Sequence, residues 1–181
     1  MRHDNHIRWF PMRVTYNREM LMKSHFDGLG IECFVPMKYE LGDDSLGSSE
    51  RLVPAIHNLI FVRSTQETLT ELKMTNSDFE PIRYIMNRME NGTTSIITIS
   101  DHEMDNFIKV ASCNDRSLTY ADDSDYFRKE AKKVRITEGH FKGVVGVVKR
   151  IKRNRCVVVR IQGVAAVVIA NMPSRFVEEI V

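Results

Sequence analysis

The residues of this 181-residue chain that could carry chemistry are six histidines, three cysteines and a cluster of aspartates. The histidines are His3, His6, His25, His57, His102 and His140, and none stands at metal-ligand spacing from a cysteine or aspartate. Zinc needs converging nitrogen and sulfur donors, usually announced by closely spaced pairs. His102-Glu103 does not extend to HExxH, and neither GxxxxGK[ST] nor GxSxG occurs. Cys33, Cys113 and Cys156 lie far apart without a CxxC, which suggests neither a zinc site nor a disulfide framework. Such cysteines are usually small core residues of a reducing compartment, so the chain reads as cytoplasmic. Asp122, Asp123 and Asp125 have the chemistry for a hard cation, but an acidic linker is the simpler account. The expectation is a binding protein with no catalytic residue, no metal and no cofactor.

Charge gives a second set of candidates. Lys149, Arg150, Lys152, Arg153 and Arg155 are the densest cationic cluster. It would either neutralise RNA phosphates or form a soluble hairpin tip. No aromatic is interleaved with it to stack bases, which argues against sequence-specific reading. Arg13, Lys23 and Lys38 would face nucleic acid or simply be solvated. The net charge is +2, from 26 Lys and Arg against 24 Asp and Glu, so distribution matters more than total. No apolar run approaches the ~20 residues of a membrane span, and MRHDNHIRWF lacks the apolar core of a secretory signal.

These side chains need a frame. Ile7–Val14 reads as a strand, followed by a helix capped by Asn17 with Leu21, Met22, Phe26 and Leu29 on one face, ended by Gly28 and Gly30. Ile31–Tyr39 is a second strand, interrupted by Pro36 in a way that suits an edge or bulge. A loop over 41–51 leads to a strand over Leu52–Arg63. A Thr-capped helix follows over Thr65–Met74, then strands over Pro81–Met89 and Thr94–Ile99 joined by Asn91-Gly92. Ser100 and Glu103 form a capping-box pattern ahead of a helix with Met104, Phe107 and Ile108 in one stripe. This order predicts an α+β domain over residues 1–112. Residues 113–127 are acidic and aperiodic and read as a linker. From Arg128 the charge turns positive.

Val134–Val148, VRITEGHFKGVVGVV, organises residues 128–181. Valine and isoleucine alternate with polar residues, then Gly139, Phe141, Gly143 and Gly146 lead into a valine run. Alternation at period two predicts a strand, and the glycines predict a tight loop feeding a second one. Further strands are expected over Val145–Ile151, Arg155–Ile161, Val164–Ala170 and near Arg175–Val177, with Asn154 and Gly163 in turns. Five short strands in about fifty residues suit a small barrel. A plain hairpin with a glycine-rich loop is the other account of the motif.

The set Val134, Ile136, Gly139, Phe141, Gly143, Gly146 and Val148 resembles a KOW motif, found in small SH3-like β-barrels of transcription elongation factors and ribosomal proteins. His140 departs from the small residue or proline usual there. The preceding region resembles the NGN domain of NusG-type factors in RWFPMRV, GIECFVPMKYE, AIHNLIFV and ISDHEMDNFI. The family's Pro-Gly-Tyr is His57, Asn58, Leu59 here, and that divergence resembles specialised paralogues, closest to the UpxY-type antiterminators of Bacteroides capsular polysaccharide operons.

The resemblance implies a monomeric elongation and antitermination factor, not an enzyme. Its NGN domain would bind the β′ clamp helices of RNA polymerase through Ile56, Leu59, Phe61, Tyr84, Met104 and Phe107. Phe61 and Met104 equally suit a domain core. Thr68–Thr70 would approach the β subunit. The KOW domain would recruit a small-subunit ribosomal protein or the Rho factor, and nucleic acid in the transcription bubble is a further implied partner. The other reading is an RNA- or ribosome-binding KOW protein without polymerase contact.

Overall fold

Strand β1, Arg8–Val14, buries five of its seven residues on both faces, so it is a central strand covered above and below. The computed structural model, which describes residues 6–42, 49–89, 92–113, 115–121, 132–151 and 153–180, divides into two compact units. The first comprises Met1–Pro36 and His57–Met104, the second Met37–Ile56 and Asp105–Val181. The sequence boundary at residue 112 therefore does not coincide with this division. The fold is mixed α and β with antiparallel sheets, and three α-helices among the described residues.

In the first unit, β2 (Cys33–Phe34), β5 (Leu59–Ser64), β1 and β6 (Ile82–Tyr84) form one antiparallel sheet in that order. The β1–β5 register runs from Arg8 opposite Ser64 to Arg13 opposite Leu59. Pro11 lacks a backbone donor yet lies within this central strand. The register explains its place: on the far side of β1, Trp9 bridges Ile99 while β6 pairs only with Met12–Val14, and Pro11 falls between. Strands β7 (Met86–Arg88) and β8 (Thr94–Ile96) form a separate hairpin. Asn91 of the expected turn lies outside the described residues.

Helix α1, Glu19–Gly28, differs from its sequence reading at both the cap and the stripe. Met22 and Phe26 are buried, but Leu21 and Leu29 are exposed. Asn17 does not cap. It and Tyr16 take left-handed backbone angles, φ 51° and 61°, and the Asn17 N–H donates to the Asn58 side chain at 3.2 Å. A left-handed tyrosine costs roughly 1–2 kcal/mol, so the surrounding bonds must hold it. Helix α2, Gln66–Thr75, is capped as expected: the Thr65 hydroxyl accepts from the Thr68 N–H at 3.1 Å. At α3, Asp101–Ala111, Ser100 accepts from the Glu103 N–H at 3.3 Å, and Met104, Phe107, Val110 and Ala111 are buried.

Two expected strands break in two. Ile31–Tyr39 becomes β2 and β3 (Met37–Leu41), divided at Val35-Pro36. Leu52–Arg63 becomes β4 (Glu50–Pro54) and β5, divided where Asn58 turns left-handed at φ 60°. Apolar residues continue across each break, so the sequence does not reveal it, although β3 and β4 are largely exposed where β5 is buried.

In the second unit, β3 pairs with β4 in a hairpin. The larger sheet has the order β14 (Val177–Glu179), β10 (Lys133–Ile136), β11 (Val145–Ile151), β12 (Asn154–Ile161), β13 (Ala165–Ile169) and β9 (Leu118–Ala121), all antiparallel. Leu118–Ala121 is thus a strand within the segment read as linker. Its LTYA pattern was masked by the aspartates on either side; Asp122, Asp123 and Asp125 lie outside the described residues. Asn154 is also displaced from the turn: it pairs with Ile151, and the left-handed residue is Arg153, φ 71°.

The glycines of the Val134–Val148 stretch have two distinct jobs. Gly139 and Gly143 take φ of 78° and 88° around a loop closed by the Gly143 N–H on the Ile136 carbonyl at 2.7 Å. Gly146 instead permits close approach: a Cβ there would meet the Val158 carbonyl oxygen at 2.7 Å and Val157 Cγ1 at 2.8 Å. Gly146→Ala is expected to lower unfolding free energy by about 1–3 kcal/mol through overpacking. Gly28→Ala, whose Cβ meets nothing within 4 Å, is expected to raise it by about 0.4–1 kcal/mol. Urea denaturation of the two variants checks both signs.

Candidate functional site

Binding side chains must be both chemically suited and reachable. Among the six apolar positions of the expected polymerase-binding set, Leu59, Phe61, Met104 and Phe107 are wholly buried. Leu59 and Phe61 alternate on β5 and sit opposite Arg13 and Pro11 of β1, with Phe34 tilted against Phe61 at 6.5 Å between ring centroids. Ile56 and Tyr84 are partly exposed. Trp9 and Phe10 are core, each 2% exposed. The large apolar side chains most exposed in the first unit lie elsewhere: Ile7, Tyr16, Met20, Leu21, Leu29, Met74, Met86 and Met89.

Tyr84 has a defined surrounding. Its hydroxyl lies 3.2 Å from the Thr70 hydroxyl and 3.3 Å from the Gln66 carbonyl. Its ring packs edge-on to Phe10, and the Lys73 ammonium sits 4.9 Å from the ring centroid. Burial raises the Tyr84 pKa against the opposing Thr70 hydrogen bond. Burial, then the neighbouring Arg83 charge, lowers that of Lys73. Thr68 and Thr70 thus serve α2 and Tyr84, with Thr68 bonded to the cap hydroxyl of Thr65 at 2.9 Å.

The start of α3 is fixed by charge. Arg63 makes a two-point pair with Asp101, Nε to Oδ1 at 2.9 Å and Nη2 to Oδ2 at 3.0 Å, and Glu32 approaches the same guanidinium at 3.7 Å. The Arg63 hydrogen bond is the largest cause holding the Asp101 carboxyl below its ordinary range. Lys23 is likewise engaged, with Asp27 at 2.8 Å.

In the second unit, Lys149 and Arg150 stand on β11 and Arg155 on β12, with Arg153 in the intervening turn; Lys152 lies outside the described residues. Arg150 is directly opposite Arg155, while Lys149 is opposite Cys156. Like charges facing across a ladder repel, so this pair does not serve sheet stability. The cluster is therefore distributed along two strands as well as the tip. Sequence reasoning missed Asn106. Its side-chain amide accepts from the Val145 N–H at 2.8 Å and donates to the Val145 carbonyl at 2.7 Å, doing for β11 what a neighbouring strand would. Lys109 donates to the Lys142 carbonyl at 2.6 Å. Both were legible only as polar positions on a helix.

The second unit also holds a cleft of about 290 Å³ lined by Met37, Tyr39, Leu118 and Tyr120, with Lys38 and Arg116 at its polar edge. Arg116 pairs with Glu50 at 2.6 Å. Tyr120 donates to the Ala111 carbonyl at 3.2 Å, and burial pushes its phenol up to about 12. Burial similarly pushes the Cys33 thiol up to about 12, which removes its nucleophilic form at neutral pH. Among the described residues, no group of three or more His, Cys, Asp or Glu could hold a metal ion. No helix among them is long and apolar enough to cross a membrane.

Two outcomes follow from these placements. Leu59→Glu would bury an unpaired charge on the central strand β5, so the protein is expected to lose about 3 kcal/mol or more of stability, whereas Tyr84→Phe should cost about 1 kcal/mol. Thermal melts separate the two. A carboxyl with a depressed folded pKa stabilises above its unfolded pKa and loses that contribution as pH falls through the folded value. The Arg63–Asp101 link is therefore complete at neutral pH and weakens on acidification below the ordinary aspartate range. Arg63→Gln should raise the Asp101 titration midpoint in a carbon-detected NMR titration.

Comparison with known proteins adds three findings. Residues 7–108 match the family model described as NusG, transcription termination factor nusG. No curated protein matches the chain. Among solved structures, NusG of Thermotoga maritima, in a study of its domain interaction, is 15% identical over 97% of this chain and 98% of that one, with a TM-score of 0.47.

Proposed function

The chain belongs to the NusG family, whose model spans more than half of it, and from that premise we propose an elongation and antitermination factor that binds RNA polymerase through its N-terminal region. NusG-type proteins are transcription factors and generally associate with RNA polymerase. The match over residues 7–108 carries the reading, because it covers all six candidate residues: Ile56 ahead of β5, and the others on β5, β6 and α3. The factor would act without a cofactor, by binding one conformation of the elongating enzyme better than its paused alternatives and so shifting the population between them.

Finer statements belong to the same proposal. The β′ clamp helices would be bound through Ile56, Leu59, Phe61, Tyr84, Met104 and Phe107, of which Ile56 and Tyr84 are partly exposed, and the β subunit through Thr68–Thr70. Residues 128–181 would be a KOW domain of SH3-like type, consistent with the turn angles of Gly139 and Gly143, the buried Phe141 and the close approach at Gly146. It would recruit a small-subunit ribosomal protein or Rho, and Lys149, Arg150, Lys152, Arg153 and Arg155 would meet RNA phosphates. The divergence at His57, Asn58 and Leu59 fits an operon-specific regulator, for example of polysaccharide biosynthesis, of the UpxY kind. Nucleic acid beside the polymerase would be a further contact.

Affinity capture from lysate with the full chain tests the core of this reading. Core polymerase subunits should be retained, and Ile56→Glu should reduce their recovery about tenfold or more, equivalent to about 1.4 kcal/mol, with an unchanged melting temperature. Ribosomal particles without polymerase would instead identify an RNA- or ribosome-binding protein.

A further inference from the structure

An open strand edge is a row of unpaired backbone donors and acceptors, a template for another strand. Most edge strands described here are short: β2, β6, β7, β8, β9 and β14 have two to four residues each. The β3–β4 hairpin instead offers two edges of five residues. Its two edges are not equivalent. The Gly42 N–H donates to the Ser49 carbonyl at 2.8 Å, which sets the phase of the ladder. Glu40 with Arg51 and Lys38 with Val53 are then the hydrogen-bonded pairs, and the residues between them turn their backbone groups outward. On β4 the outward residues are Glu50, Leu52 and Pro54, and Pro54 has no N–H to give. On β3 they are Met37, Tyr39 and Leu41, with every donor intact. Among the described residues these groups meet no backbone partner. The strand is also uncovered: Tyr39 is 47% and Leu41 69% exposed, and all five residues of β3 line the 290 Å³ cleft.

The side chains say what this edge would accept. MKYEL reads apolar, basic, aromatic, acidic, apolar, and is its own complement when reversed. Laid antiparallel on a second copy about Tyr39, Lys38 of each chain faces Glu40 of the other, and Met37 faces Leu41. The backbone phase agrees, because Tyr39 meets Tyr39 and Met37 meets Leu41 through their outward groups. A one-residue slip breaks that phase. A two-residue slip puts Lys38 against Lys38 or Glu40 against Glu40, and like charges across a ladder repel. A lysine midway along an edge ordinarily discourages pairing. Here the acid two places on makes it a selector for one partner in one register. Lys38 has no ion pair among the described residues. Glu40 pairs with Arg51 at 3.2 Å, but both side chains are exposed, so that link competes weakly. A foreign strand would need the same alternation; a second copy has it by identity.

We propose that β3 is a self-association edge, through which two copies of the chain pair antiparallel over Met37–Leu41 and join their hairpins into one four-stranded sheet. The contact is isologous, so each charge pair is made twice about the twofold axis. Tyr39 and Leu52, directly opposite within the hairpin, would continue into a single apolar face across that axis. The family resemblance implies a monomer; the edge of β3 implies a second copy. The inference stands apart from polymerase binding.

Sedimentation equilibrium of the full chain over a concentration series tests it, with amide hydrogen exchange at low and high concentration. Five residues per strand make a small interface, so the dimer should be weak and concentration-dependent. Lys38→Glu and Glu40→Lys should each weaken it about tenfold, since each replaces two attractions by two repulsions. The double variant should recover affinity to within about threefold, because the pairs are restored with their signs exchanged. All three should melt like wild type, as exposed charges contribute little to stability. The Tyr39 and Leu41 amides should exchange more slowly at high concentration. A chain still monomeric at about 1 mM overturns the proposal. So does a dimer indifferent to the single variants, a double variant no tighter than either single one with wild-type melts, or protection gained at β9 or β14 instead of β3. Slow exchange at Tyr39 and Leu41 in a chain that stays monomeric would reveal another occupant and overturns it as well.

Discussion

The first unit depends on the antiparallel pairing of β1 with β5. The two strands lie at the centre of the four-stranded sheet, and five residues of each are buried. Burying a strand on both faces removes side-chain alternation as a guide to register and transfers the task to sterics and to the backbone at its ends. Here the ends are specified chemically. Trp9 is bridged to Ile99 at one end, and Asn58 receives the Val14 N–H at the other. Between them Phe10, Met12, Leu59, Ile60, Phe61 and Val62 fill the space.

The second unit solves a different problem. Its sheet is rich in small branched residues, with Val157, Val158, Val159, Val167 and Val168 almost without exposure, so strands must lie close to leave no voids. Gly146 admits that closeness at one crossing, and Asn106 supplies the hydrogen bonds that Val145 would otherwise lack. Lys132 and Arg135 meet Glu179 and Glu178 near the outer strand, exposed pairs that add little stability but put opposite charges at facing positions.

Much of this was readable from residue types. Period-two alternation, the Thr65 and Ser100 caps, and the turn glycines each have one physical meaning, and the structure uses them in that sense. Asn58 is instructive: it takes the left-handed angle that glycine allows and asparagine tolerates. What the sequence hid follows from physics as well. Leu59 and Leu21 are equally apolar, yet one is core and the other surface, because burial depends on partners distant in the chain. The strand at Leu118–Ala121 lay among aspartates that made its neighbourhood look like a tether. Tyr16 gave no cue, since left-handed backbone is imposed by the bonds around it rather than by its own preference.

Trp9 is the one tryptophan of the chain, 2% exposed, and its indole hydrogen bonds to the Asp101 carboxylate. Its emission on excitation near the red edge of protein absorbance therefore reports one locality: the β1 end where α3 begins. The six-stranded sheet contains no tryptophan and is silent at that wavelength. An optical unfolding trace read through indole light follows the first unit alone, and a second colour, from far-ultraviolet dichroism, is required before any transition can be ascribed to the molecule as a whole.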